Sequence, residues 1–266
     1  MIRRVMSTAS RTPLVFISHG APTVALEESA FTRAVRGYGE TLAGARAAVV
    51  VSAHWQTRGR IHVNAVPQPP PIYDFGGFSP DLYRVRYDAP GDPDLARRIA
   101  ALLGEAPLEE RRGWDHGLWV PLLHLLPSAT IPIVEVSQPV PATPHDLLQL
   151  GRALAPLRDE GVVLIGSGGI VHNLSRISFG APDGAAEPWA KAFDDWVAAR
   201  LEAKEFAALA DYRSHAPHAD DAVPTPEHFD PVFFIAGATD ERDRYRNVYE
   251  GFAFGTLSMR TYAFEG

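Results

Sequence analysis

Short runs of successive apolar positions recur along the chain, and most are rich in β-branched residues. They are Leu14 to Ile17, Ala47 to Ser52, Ile61 to Val66, Ile131 to Val136, Val162 to Ile165 and Leu257 to Tyr262. Runs this short, bounded by Gly, Pro or polar residues, predict buried strands. Ala47 to Val51 and Val162 to Ile165 show no alternation of apolar and polar positions. A strand covered on both faces has that pattern, so a largely parallel sheet is expected.

Helical patterns lie between the runs. Glu28 to Leu42 carries Phe31, Val35 and Leu42. Pro93 to Leu103 opens with a proline suited to a first turn, after Asp92 as a cap. Pro144 to Leu157 follows Thr143 as a cap and carries Leu147, Leu148, Leu150, Leu154 and Leu157. Pro188 to Leu201 is amphipathic through Trp189, Phe193, Trp196, Val197 and Leu201. Strands alternating with helices predict an α/β fold, a central mostly parallel or mixed sheet with helices on both faces. Pro67 to Gly77 and Asp211 to Pro226 predict long irregular loops of the kind that often border binding sites. No repeat or linker divides the 266 residues, so one domain over 1–266 is expected, with residues 1–11 flexible.

Composition narrows the classes. With 46% apolar and 21% charged residues the chain has the make-up of a globular protein. A net charge of -7 argues against a general nucleic-acid binder. The absence of cysteine removes disulfides, cysteine-based zinc sites, iron–sulfur clusters and thiol nucleophiles. No apolar run has the length of a signal peptide or a membrane span, so a cytoplasmic location away from membranes is expected.

The ten histidines are the main chemical signal. His19 follows the first run in LVFISHGAP, His54 follows the second in VVVSAHW, and His172 follows Val162 to Ile165 in VVLIGSGGIVHN. Ligands bind open α/β sheets at the C-terminal ends of the strands. Three imidazoles at that edge point to a shared metal, because imidazole is the commonest protein metal ligand; three unrelated loop histidines are the competing reading. A metal held by His19 and His54 needs a further donor, and Glu227 or His228 in PTPEHFDP can supply it. Adjacent residues on a helical turn face apart, so only one of the two is expected to ligate; an exposed turn at a helix start is the alternative. His116, in GWDHGLW, lies between Trp114 and Trp119 and beside Asp115. It is a candidate acid/base group, or a packed residue at a helix start. The bland reading is preferred for His62, His124, His145, His215 and His218. HExxH, GxSxG and Walker A lysine motifs are absent. Ser18, Ser52 and Ser167 lie near the same edge, but no nucleophile signature surrounds them.

The ordered set of HGAP at His19, SAHW at His54, DFGGF from Asp74 to Phe78, WDHG at His116, GSGGIVHNL ending at Leu174 and PTPEHF at His228 resembles the class III (LigB-like) extradiol ring-cleavage dioxygenases. Within these it is most similar to the single-chain DOPA 4,5-dioxygenase branch. The resemblance spans about Thr12 to Met259, with Ala21 where HGSP is commoner. It implies a phosphorylase/hydrolase-like sheet and a mononuclear metal held by His19, His54 and His228. It places His172 beside the metal, as fourth ligand or acid/base group, and His116 in the substrate pocket. Distant relatives close the triad with a glutamate; the nearer branch favours His228 over Glu227. It further implies Fe(II) for activity, with Zn(II) able to occupy the same site. The substrates would be O2 and a catechol such as DOPA, opened beside the diol to a muconic semialdehyde. His172, aided by His116, would take a catechol proton and return it at O–O cleavage. A zinc-dependent hydrolase on the same scaffold and a non-enzymatic metal-binding relative are the alternatives. A homo-oligomer is compatible with all three.

Overall fold

A computed structural model describes residues 11–182 and 184–266. Ten strands are present among them: β1 (Leu14–Ser18), β2 (Ala47–Arg58), β3 (Val63–Asn64), β4 (Leu108–Glu109), β5 (Ile133–Val140), β6 (Val162–Gly168), β7 (Arg244–Tyr249), β8 (Phe252–Ala253), β9 (Leu257–Ser258) and β10 (Thr261–Glu265). Eight form one sheet in the order β4-β3-β5-β2-β6-β1-β10-β7, and β8 and β9 form a separate ribbon. The central strands β5, β2, β6 and β1 are mutually parallel. β10 and β7 add antiparallel pairs at one side, and β3 pairs antiparallel with β5 at the other.

The helices are α1 (Ala30–Gly39), α2 (Pro93–Leu102), α3 (His116–Leu125), α4 (Pro144–Leu154), α5 (Pro188–Glu202), the short α6 (Phe206–Ala210), α7 (Tyr212–His215) and α8 (Ala219–Ala222), and α9 (Pro231–Ala238). Caps fix several starts: Ser29 and Thr143 form capping boxes, and Asp92 accepts from two amides of α2. Successive strand residues feed opposite faces. Leu14, Phe16, Val49, Val51 and Leu164 pack into one core with α2, α4, α5 and α9. Val15, Ile17, Val50, Val163 and Ile165 pack into the other with α1 and α3. Both faces are therefore covered, as the unbroken apolar runs predict.

Four expectations need correction. β2 continues past Ser52 to Arg58, so His54 lies within the strand rather than after it. Its last four residues, Trp55 to Arg58, are partly polar and only Trp55 is buried, which removes the apolar signal. The run Leu257 to Tyr262 is two strands, β9 and β10, separated at Met259 and Arg260. β7 was absent from the pattern because it is an edge strand with no fully buried residue, so no apolar face marks it. The segment Asp211 to Pro226 holds two single-turn helices, α7 and α8. The expected flexibility of residues 1–11 falls outside the described residues except at Arg11, whose guanidinium pairs with Asp240 and Asp159.

Candidate active site

Three chain segments bring imidazoles to the C-terminal ends of β1, β2 and β6. At β1 the chain leaves the sheet through Gly20, whose φ is +63°. A Cβ there would lie 2.8 Å from Met259 Cε and 2.9 Å from Val24 Cγ2, so glycine is required for the turn that follows His19. β2 reaches His54 through a wide bulge. Its pairing with β5 jumps from Val51↔Val136 to Gln56↔Gln138, five steps along β2 against two along β5. The extra residues twist His54 out of the ladder. His228 approaches the end of β6 by its backbone: Gly169 N–H donates to His228 O at 2.8 Å. A Cβ on Gly168 would stand 2.1 Å from that carbonyl oxygen.

The three rings converge in a consistent way. Ligating nitrogens of His19, His54 and His228 lie within 4.8 Å of one another. Each Nδ1 has an oxygen behind it. Ser167 Oγ lies 3.3 Å from His19 Nδ1. Because the Ser167 hydroxyl donates to Gly117 O, it accepts from the histidine. Asp74 Oδ2 lies 3.4 Å from His54 Nδ1, and Glu227 Oε1 accepts from His228 Nδ1 at 3.1 Å. Placing the proton on Nδ1 leaves each Nε2 as a lone pair. The Nε2 atoms of His19 and His54 face each other at 3.3 Å, and that of His228 is buried with no hydrogen-bond partner. Lone pairs so placed repel unless a cation lies among them. Imidazole nitrogens about 2.0–2.1 Å from one tetrahedral ion stand about 3.3 Å apart. The donor set thus fits a metal ion, with ring orientation set by oxygen acceptors behind each ligand. Glu227 stands behind His228 and is not among the three converging residues.

A second group, His54, Asp74 and His116, also lies within 4.8 Å. Hydrogen bonding within the protein accounts for it. Asp74 Oδ1 accepts from the His116 backbone N–H at 3.0 Å and from its Nδ1 at 2.9 Å, while Oδ2 faces His54. Asp74 is thus a carboxylate shared between two imidazoles. Burial alone would raise its pKa, but the His116 hydrogen bonds and charge, with His54, bring it down to about 2. Glu227 is likewise brought down to about 2, by His228 and Thr225 against the effect of burial.

His172 belongs to neither group. Its ring stacks on His228, with centroids 3.5 Å apart and planes 5° from parallel. His116 begins α3, with its ring 4.0 Å from that of His54. Burial is the main reason that His19, His54 and His172 favour the neutral form. It lowers His54 to about 4, His172 to about 3, and His19 well below the ordinary range. Phe75 packs edge-on against His116 at 5.5 Å. Tyr73, Phe78, Tyr83 and Trp119 surround Phe75, so the loop Pro67 to Gly77 does contribute an aromatic wall.

Behind His54 lies a buried charge network not visible in the sequence pattern. Arg112 Nη2 donates to Asp115 Oδ2 at 2.6 Å and to His54 O at 3.3 Å, and Nε donates to Glu135 Oε2 at 3.4 Å. Its guanidinium sits 4.9 Å over the Trp55 ring. Burial and the neighbouring Asp115 push the Glu135 carboxyl well above its ordinary value. Asp74, Arg112 and Glu135 were not marked by the sequence pattern. Asp74 stood in the DFGGF motif without a role, because its histidine partners come from other segments. The three serine hydroxyls each donate to another oxygen of the protein. Ser18 donates to Ser258 O, Ser52 to Asp115 Oδ1 and Ser167 to Gly117 O. His62, His124, His145, His215 and His218 stay outside both groups.

Known proteins resemble the chain over nearly its whole length. A sequence profile for the catalytic LigB subunit of aromatic ring-opening dioxygenase matches residues 13–265. A protein of Escherichia coli (strain K12) named 4,5-DOPA dioxygenase extradiol is 40% identical over 97% of each chain. One of the same name from Beta vulgaris is 38% identical over 94% of this chain and 95% of its own. The crystal structure of an uncharacterized Escherichia coli K12 protein superposes with a TM-score of 0.80 at 35% identity, covering 95% of this chain and 99% of that one. The chain belongs to the LigB family of aromatic ring-opening dioxygenases and is an extradiol ring-opening enzyme of that family.

Proposed function

We propose that the enzyme opens a catechol such as DOPA beside its diol, using O2 and iron(II), to give a muconic semialdehyde. The observation that carries the reading is the set of three imidazoles whose Nδ1 atoms face oxygens and whose Nε2 atoms converge. His19, His54 and His228 would hold the metal through those Nε2 atoms. When bound, iron(II) would supply the redox chemistry between catechol and O2. Zn(II) fits the same donors but has no redox chemistry, so a zinc form would not open the ring.

The chain's own residues then bind the ring and handle protons. Phe75 and its aromatic neighbours offer a flat apolar wall beside His116, suited to an aromatic ring. Asp74 occupies His116 Nδ1, which leaves Nε2 as the end of the ring available to a substrate hydroxyl. His172 is neutral at physiological pH and lies one ring thickness from His228, a proposed ligand. Its stacked geometry favours an acid/base role over that of a fourth ligand. It would accept a catechol proton on binding and return it when the O–O bond breaks. The relatives named as 4,5-DOPA dioxygenases support DOPA as the first catechol to test. We read the whole chain as one catalytic domain and expect it in the cytoplasm.

The test is O2 uptake by protein loaded anaerobically with iron(II) or zinc, against DOPA, caffeate, protocatechuate and unsubstituted catechol. Uptake with iron alone and a yellow product is the expected result. Bound iron with no uptake on any catechol would overturn the reading, and ester or amide hydrolysis by the zinc form would replace it.

A further inference from the structure

We propose that Gln138 is a positioning residue whose side-chain amide fixes the separation between His54 and His228. The proposal rests on the metal reading above, and its observations are independent of that site's rings. Gln138 lies on β5 and is 1% exposed. It is the first residue of β5 that pairs with β2 beyond the bulge. Its Nε2 donates to Ser52 O at 3.2 Å and to Glu227 O at 3.0 Å. Ser52 is the last residue of β2 paired with β6 and stands two residues before His54. Glu227 immediately precedes His228. Both hydrogens of one planar amide are therefore spent on the backbones that carry two of the three converging imidazoles.

The geometry explains why an amide is needed. The bulge that frees His54 also interrupts backbone pairing between β2 and β5 from Ser52 to Trp55. A buried carbonyl that loses its ladder partner needs another donor. The Ser52 and Glu227 carbonyls cannot satisfy each other, since both only accept. An uncharged group with two N–H bonds satisfies both and holds them at one distance. A carboxylate has no such hydrogens, and an aliphatic side chain of equal length leaves both carbonyls unpaired. Because the tie runs from backbone to backbone, its loss would let two ligand-bearing segments drift apart while each ring kept its own oxygen partner.

The experiment titrates cobalt(II), a visible-absorbing probe of the histidine site, into metal-free full-length protein. Wild type is compared with Gln138→Leu, Gln138→Glu, His54→Ala and Val136→Ala, each followed by thermal unfolding. Val136 is fully buried on the same strand and serves as the control for general loosening of β5. Gln138→Leu and Gln138→Glu should bind cobalt about 10–100-fold more weakly, as for loss of other supporting partners, with an altered visible band. Val136→Ala should lower the melting temperature and keep wild-type affinity. If Gln138→Leu does not fold, Gln138→Glu carries the comparison. Wild-type affinity and spectrum in the folded Gln138 variants would overturn the proposal, and so would an equal loss in Val136→Ala. Failure of wild type to bind, or undiminished binding by His54→Ala, would instead sink the metal reading itself.

Discussion

At His54 each nitrogen has a separate task. Nδ1 faces Asp74, and Nε2 faces His19 Nε2. Removing a ligand and removing its support should therefore differ. Purified His19→Ala and His54→Ala proteins should retain little metal by elemental analysis. His116→Ala should keep wild-type metal content and lose about 10²-fold or more in turnover, the range for a lost acid/base group. Near-stoichiometric metal in His19→Ala would contradict the assignment. Asp74→Asn keeps shape but can no longer accept equally from two imidazoles. It should weaken metal binding about 10–100-fold and lower kcat as well, because one carboxylate serves His54 and His116. A loss in kcat with metal affinity intact would show that Asp74 serves His116 alone. His19, His54 and His172 were legible in the sequence because each follows an apolar run, and His228 and His116 because of the PTPEHF and WDHG motifs. Asp74, Arg112 and Gln138 were not, since an Asp, Arg or Gln gains a role only from partners that folding brings near.

The elements show how narrow the approach between segments is. β6 ends in glycines because the His228 carbonyl lies where a side chain of residue 168 would be. Gly168→Ala should force the two backbones apart, with a cost of about 1–3 kcal/mol, the range for overpacked interiors. Denaturant unfolding would read the loss, and metal affinity should fall with it. Unchanged stability would mean that the His228 segment yields freely. The unbroken apolar runs of β1, β2 and β6 made the parallel centre of the sheet legible. β7 was not, because an edge strand buries no continuous face. The β2 bulge was not legible either. It depends on how many residues oppose one another across two strands, which a single strand's sequence does not specify.

For the whole molecule, a cluster of buried neutral imidazoles ties stability to pH. In an unfolded chain histidine titrates near 6.5. In the folded protein His54 titrates at about 4 and His172 at about 3, chiefly through burial. Through these two histidines the unfolded state binds more protons between those values, which favours folding as pH rises, while Glu135 and Asp230, pushed up by burial, act in the opposite sense. In the metal-free protein the contribution of His54 and His172 should be complete above about pH 6.5 and fall by on the order of a few kcal/mol as pH drops toward 4. Urea unfolding of wild type and His172→Asn from pH 8 to pH 4 checks this, with a shallower acid loss expected in the variant; the same pH dependence in both would contradict it. Bound metal should steepen the dependence, because ligation requires the same neutral rings.

The central claim is that His19, His54 and His228, and not His54, Asp74 and His116, hold the metal. A crystal structure of iron-loaded protein, with anomalous data collected on both sides of the iron absorption edge, tests it most directly. One iron peak bonded to the three Nε2 atoms is expected, with Asp74 still hydrogen-bonded to His116 and His172 off the metal. Iron bonded to Asp74 and His116, or no ordered iron among the three histidines, would contradict it.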